Sequence, residues 1–249
     1  MFVAASSESF PDLSLSETLD RLADLEYTSL ELAVHEHGGH MRPSDVHANP
    51  SRAIDICRST KRISLCALSV DVTAEGDDYY RQFASCCKLA KATKIVTLIV
   101  PAAELGTPFN AEIERLRTLV AIASMEGVRV GVKTQTGRVT QDPDTAVVMC
   151  DNVKGLGVTL DPSHLIYGPH QGGSYEQILK YVCHVHLRDT TKDRFQVRVG
   201  QGEIDYSRLI TQLARHKYDR GLSVNMPPME GVDHHGEMRK MRLLLESLL

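Results

Sequence analysis

Eight times along this chain a short run of aliphatic and β-branched residues ends in polar residues and gives way to a stretch of helical periodicity. The runs cover 2–6, 29–34, 63–70, 94–100, 128–132, 157–160, 182–187 and 222–224. They are largely apolar, the pattern of parallel strands covered on both faces. The stretches between them repeat at three and four residues, so each buries one side. Leu15, Leu19, Leu22 and Leu25 make one such stripe, with Ser14 or Ser16 as its cap. Ile113, Leu116, Leu119, Val120 and Ala123 make the clearest, with Asn110 as the expected cap. Further helices are expected over 50–60, 79–92, 142–150, 174–181, 206–217 and 237–249.

Strand then helix, eight times in 249 residues, predicts an α/β fold: a (β/α)8 TIM barrel forming one domain over 1–249. The rival, a doubly wound sheet, is weakened because no Gly-x-Gly-x-x-Gly follows the first run. A formal net charge of -4 offers no basic field for nucleic acid. The opening Met-Phe-Val-Ala-Ala-Ser-Ser-Glu lacks a basic n-region, and no segment reaches the ~20 apolar residues of a membrane span. A cytoplasmic protein without membrane contact is expected. The six cysteines form no Cys-x-x-Cys, so buried thiols are expected rather than a zinc ribbon or a redox pair. A homodimer is the default assembly.

In such barrels the chemistry collects where strands end. Here those ends carry Ser6 and Ser7, His35, His37 and His40, Ser69 and Asp71, Lys133 and Gln135, Asp161 and His164, His184, His186 and Arg188, and Asn225. Six of the 11 histidines belong to this set: His35, His37, His40, His164, His184 and His186. Their convergence from strands two, six and seven points to acid–base or ligand chemistry. His184 shares the parity of His186 but lies deeper, so it is expected to be a packed core histidine. Lys192 and Arg198, on the loop after strand seven, read either as part of a solvated loop or as a cationic rim for an anionic or hydroxylated substrate.

Several of these pieces resemble the xylose isomerase-like TIM barrels, a superfamily of sugar isomerases and epimerases, inosose dehydratases and endonuclease IV-type repair enzymes. Leu30-Glu-Leu-Ala-Val34 is similar to its second strand, and Gly127-Val-Arg-Val-Gly-Val132 to its fifth. Leu160-Asp-Pro-Ser-His164 is similar to its Asp-x-x-His strand end. His184-Val-His-Leu-Arg-Asp189, with Val199-Gly-Gln-Gly-Glu-Ile-Asp205, resembles its seventh strand and Gly-x-Gly continuation, and Gly221-Leu-Ser-Val-Asn225 its eighth.

The resemblance implies a divalent metal held by Glu, Asp, His and Glu from strands five to eight. Asp161 and His186 match, and His164 matches the substrate-binding histidine. The two glutamate positions are Lys133 and Asn225. A hard cation wants anionic oxygen, and a protonated lysine has no lone pair to give. No metal and no other cofactor is therefore expected, with the Lys133 ammonium in the ion's place and paired with Asp161. The alternative is one zinc or manganese, rebuilt by His35 or His37 together with Asp161 and His186.

The implied function is a sugar or sugar phosphate isomerase or epimerase. It would act on a small-molecule carbohydrate by proton transfer next to a carbonyl. Lys133, His164, His186 and Asp161 would be catalytic. His35, His37, Gln135, Arg188, Lys192, Arg198 and Asn225 would line the substrate. A non-catalytic sugar-binding barrel is the competing reading. An endonuclease IV-type enzyme ranks below both, because Arg194 and Gln196 replace its Asp-x-His ligand pair.

Overall fold

The computed structural model describes residues 1–60, 62–170 and 174–249. Strands β1 (Phe2–Ser6), β2 (Ser29–His35), β3 (Ser64–Asp71), β4 (Thr97–Val100), β5 (Arg129–Lys133), β6 (Gly157–Leu160), β7 (Val182–Leu187) and β8 (Gly221–Val224) close into a barrel in chain order. Neighbours pair in parallel, and β1 returns to β8. Around it lie α1 (Leu15–Asp24), α2 (Pro43–Ala48), α3 (Pro50–Arg58), α4 (Gly76–Ala92), α5 (Phe109–Met125), α6 (Pro143–Asn152), α7 (Pro162–Tyr167), α8 (Tyr206–Arg215) and α9 (His234–Glu246). This is the expected (β/α)8 barrel. Among the described residues no helix is long and apolar enough to cross a membrane.

Alternate strand residues serve two different interiors. Leu30, Leu32 and Val34 of β2 join the apolar core against the helices, as do Leu68 and Val70, Val130 and Val132, and Val185 and Leu187. The intervening residues face the barrel axis. There the chain places Ala4, Ser6, Glu31, Ala33, Ala67, Ser69, Thr159, His184, His186 and Ser223, all buried and outside that apolar cluster. Barrel axes are more often filled by bulky branched side chains. A small, polar axis must hydrogen-bond internally, because unpaired polar groups are costly away from water.

Several local expectations shift. Asn110 is not the cap of α5; it lies inside the helix, which starts after Pro108 with no side-chain cap. The stripe from Ile113 to Ala123 is buried as read. Ser14 does cap α1, in a reciprocal capping box with Glu17. The segment expected as helix over 174–181 is a 3-10 turn, Glu176–Tyr181. Strand β2 runs to His35, beyond which the chain turns. His35 and His37 therefore do not share an extended face. The six-residue helices α2 and α7 are too short to show a period in sequence.

The floor of the barrel between β5 and β6 depends on two glycines. A Cβ on Gly157 would sit 2.5 Å from Cys183 Sγ, and one on Gly131 would sit 2.7 Å from the same sulfur. Gly157→Ala should destabilise the fold by about 1–3 kcal/mol, the usual cost of overpacking a filled interior. Urea denaturation of Gly157→Ala, Cys183→Ala and the double variant checks it. The double variant should recover part of the loss, since the Cys183 Cβ, 2.9 Å away, remains, whereas simple additivity would mean that the sulfur is not the obstacle.

Candidate active site at the barrel mouth

A fully buried carboxylate, Glu31, sits at the centre of the axis. Its Oε2 accepts from His184 Nε2 at 2.6 Å and from His186 Nε2 at 2.7 Å, and its Oε1 accepts from Ser6 Oγ at 3.1 Å. Burial alone would raise its pKa, but the two imidazoles outweigh that and hold it well below the ordinary carboxylate value. Losing one partner of such a buried pair typically costs about 3–5 kcal/mol. Sequence reading placed Glu31 only inside an apolar strand. It read His184 as core, and His184 is buried against this carboxylate.

Above this hub, Asp161 ends β6 and caps α7. Its Oδ1 accepts from Ser163 N–H at 3.1 Å and from the Ser163 hydroxyl. Its Oδ2 faces Arg188 Nη2 at 3.2 Å and His164 Nε2 at 3.8 Å. Burial opposes ionisation, yet Arg188 first, then His164 and Lys133, keep the Asp161 carboxyl below its usual range. His164 is held by the backbone N–H of Thr136, which donates to Nδ1 at 3.2 Å. A neutral ring with an accepting Nδ1 carries its proton on Nε2, so His164 offers an N–H donor. Burial, reinforced by Lys133 and Arg188 against the pull of Asp161, lowers its pKa to about 4. Phe195 covers this group, 4.6 Å from the Arg188 guanidinium carbon and 4.5 Å from the His164 ring.

Lys133 opens onto a cavity of about 160 Å³ that it shares with Glu8, His35, Ser69, Asp71, Gln135 and Arg138. Glu8, from the turn after β1, accepts from Asn225 Nδ2 at 2.9 Å and lies 3.8 Å from His35 Nδ1. Burial raises the Glu8 pKa, but Lys133 and then His35 outweigh it and leave it lowered. His35 Nε2 also meets Ser69 Oγ at 2.9 Å. Thus Lys133, His35, Gln135 and Asn225 gather at the mouth on the β1–β5 side, with Asp161, His164, His186 and Arg188 opposite and below. His37 is exposed in the turn after β2, and Lys192 and Arg198 are exposed on the loop after β7. None of these three lines that cavity.

The loop after β7 hangs from one carboxylate. Asp189 Oδ2 accepts from the backbone N–H groups of Gly200 at 2.8 Å and Gly202 at 3.0 Å. A Cβ on Gly202 would fall on Asp189 Oδ1. The Gly200-Gln-Gly202 motif is therefore a backbone fastening for the loop that carries Phe195.

The expected ion pair between Lys133 and Asp161 is not formed among the described residues; Arg188 holds Asp161 instead. This bears on a divalent ion at the four positions of the resembling family. Asp161 is already neutralised by Arg188, Asn225 presents an amide N–H to Glu8, and the Lys133 side chain stands where a carboxylate would be needed, although His186 keeps an unpartnered Nδ1. These residues do not fit that metal. Among the described residues the one cluster with metal-ligand spacing is Glu31, His184 and His186, whose donor atoms lie within 4.8 Å of one another. Their 2.6 and 2.7 Å contacts are hydrogen-bond lengths. Ligands on a tetrahedral zinc, with bonds of about 2.0–2.2 Å, stand about 3.3–3.6 Å apart.

Among curated protein sequences none matches the chain. Solved structures do. A D-psicose 3-epimerase, determined in the presence of D-fructose, is 13% identical with a TM-score of 0.76, covering 100% of this chain and 99% of that one. The probable 3-DHS dehydratase AsbF of Bacillus anthracis is 12% identical with a TM-score of 0.75, covering 99% of each. A xylose isomerase-like TIM barrel protein from Mycobacterium smegmatis, in complex with magnesium, is 16% identical with a TM-score of 0.75, covering 99% of this chain and 97% of that one. At such identities the likeness is one of fold. A family model extends it to sequence over residues 17–247, and the chain belongs to the xylose isomerase-like TIM barrel family.

Proposed function

We propose that this barrel is a sugar or sugar phosphate isomerase or epimerase that moves a proton next to a carbonyl without the usual divalent metal. The observation that carries the reading is the Arg188 guanidinium on Asp161, with the Lys133 ammonium at the neighbouring strand end. Removing a proton beside a carbonyl builds negative charge on oxygen. A metal ion stabilises that charge in many such enzymes. Here fixed cations and a neutral N–H donor would do so: Lys133, Arg188 and His164 Nε2. Donors already oriented in a partly dry site need little reorganisation as the charge develops. Gln135, His35 and Asn225 would hold hydroxyl groups at the rim. Structural neighbours described as epimerases support the substrate class.

The test is loss of carbon-bound protons to deuterium oxide, followed by proton NMR with a panel of ketoses and ketose phosphates. Protein dialysed against EDTA should retain its exchange rate. Lys133→Met should lower that rate by about 10²–10³-fold, the usual cost of removing one oxyanion donor. Activity that disappears with EDTA and returns with manganese would sink the metal-free reading. A folded wild-type protein that exchanges nothing would favour a non-catalytic sugar-binding barrel.

A stability prediction follows from His164. Its folded pKa of about 4 lies below the unfolded 6.5, so the unfolded chain takes up a proton first as pH falls. Its contribution to stability is complete above about pH 6.5 and is lost as pH falls from there through about 4. Urea midpoints measured between pH 4 and 7 should fall less steeply towards acid for His164→Asn than for the wild type.

A further inference from the structure

The cavity at the mouth is divided by charge. Glu8 and Asp71 enter it from the ends of β1 and β3, and Lys133 and Arg138 from the end of β5 and the loop beyond. Between them Ile99 and Pro101, at the end of β4, form an apolar strip. Two cations at the mouth answer to fixed carboxylates: Arg188 holds Asp161, and Lys133 acts on both Glu8 and Asp161. Arg138 is placed differently. Among the described residues its carboxylate partner is Glu104, 3.6 Å away, on a side chain 79% exposed. Exposed pairs of this length contribute little, so a better acceptor readily displaces them.

The backbone presents Arg138 in a fixed place. Its N–H donates to Gln135 O at 3.2 Å across a turn in which Gly137 has φ 80°. Leu105 N–H donates to Gly137 O at 3.3 Å and Val139 N–H to Ala103 O at 3.0 Å, which staples this turn to the loop after β4. Arg138 Nη1 donates to Ala102 O at 3.3 Å, which settles one of its N–H groups. The rest of the fork suits two oxygens of one carboxylate or phosphate, a match that a lysine ammonium does not offer.

The cavity is small, about 160 Å³ or roughly five water volumes. A ligand that reaches both Lys133 and Arg138 inside it spans only a few atoms between the two. We propose that the substrate carries an anionic group, carboxylate or phosphate, beside its carbonyl, and that Arg138 is the specificity-determining residue that receives it. The acids across the cavity set the direction, because they repel an anion towards β5. The carbonyl oxygen then lies on Lys133, the anion on the Arg138 fork, and a hydroxyl beyond the carbonyl donates to Asp71. The remainder of the chain leaves through the open mouth. That this ligand is the substrate rests on the proton-transfer reading above; that it binds does not.

Three probes that differ only at the first carbon test this: D-fructose, 2-keto-D-gluconate and D-fructose 1-phosphate. They share a carbonyl at the second carbon and the same hydroxyl chain beyond it. Isothermal titration of the wild-type protein should show one or both anions binding about 10–100-fold tighter than D-fructose, the effect of a charge-assisted pair. The two anionic probes distinguish a carboxylate site from a phosphate site. Arg138→Met should erase the preference while D-fructose affinity and the circular dichroism spectrum stay unchanged. Arg138→Lys should keep part of it, because the charge stays and the fork is lost. Glu104→Gln should strengthen anion binding, because the competing carboxylate is gone.

Equal affinity for the three probes, or no binding of any of them, would overturn the proposal. So would a preference that survives in Arg138→Met; its loss in Arg198→Gln would then put the anion on the loop after β7. Deuterium exchange with the same probes keeps the two readings apart. A preference erased by Arg138→Met, with no exchange in the wild type, supports the anion site and sinks the proton-transfer reading. Exchange that is as fast with D-fructose as with the anions, without any binding preference, keeps that reading and sinks the anion site.

Discussion

A carboxylate with no access to water lies on the axis of this barrel, and the arrangement of the mouth follows from satisfying it. Glu31 enters from β2, and its histidine partners enter from β7 across the barrel. Three donors on one carboxylate leave it ionised and fixed. They also fix the direction of His186, and with it the polarity of the space above. An apolar axis would pack as well, but it would leave the strand-seven histidine free to turn. The fold's usual division of labour, stability below and chemistry at the strand ends, is bridged here by one side chain.

If the mouth works without a divalent ion, as proposed, it keeps the charge balance of a metal site with different parts. A divalent ion with three carboxylates and a histidine is nearly neutral as a unit. Lys133 and Arg188 set against Asp161 and Glu8 are also nearly neutral. On the metal-free reading proposed above, the positive charge sits on side chains tied to β5 and to the end of β7 and not on an ion. Such cations cannot bring a coordinated water or shift ligands during a reaction. They do hold their positions at every metal concentration. Phe195 over Arg188 keeps water from the guanidinium face, which strengthens its hold on Asp161.

Much of this was legible in the sequence, for physical reasons. Short apolar runs ending in polar residues mark both the strands and their functional ends. Asp161, His164, His186 and Lys133 could be named from those ends. Glu31 could not, because its partners are 153 and 155 residues away and its neighbours in sequence are all apolar. Glu8 lies past the strand end in a serine-rich turn, and nothing local sets it apart. The partner of Asp161 illustrates a different limit. Composition at the strand ends shows that a cation must stand near it, but only the reach of each side chain decides between Lys133 and Arg188.

The loop that carries Phe195 leaves the barrel and returns to it at nearly the same point. Asp189 accepts from Val197 N–H through its main-chain oxygen and from Gly200 and Gly202 through its carboxylate, while Thr191 N–H closes on Arg194 within the excursion. Both ends are thus anchored to one residue that the barrel itself positions. Residues 191–198 form an excursion fastened at both ends to Asp189. New aromatic or charged groups can be offered to the same strand-end side chains, so what the mouth admits can change while the barrel beneath it stays the same.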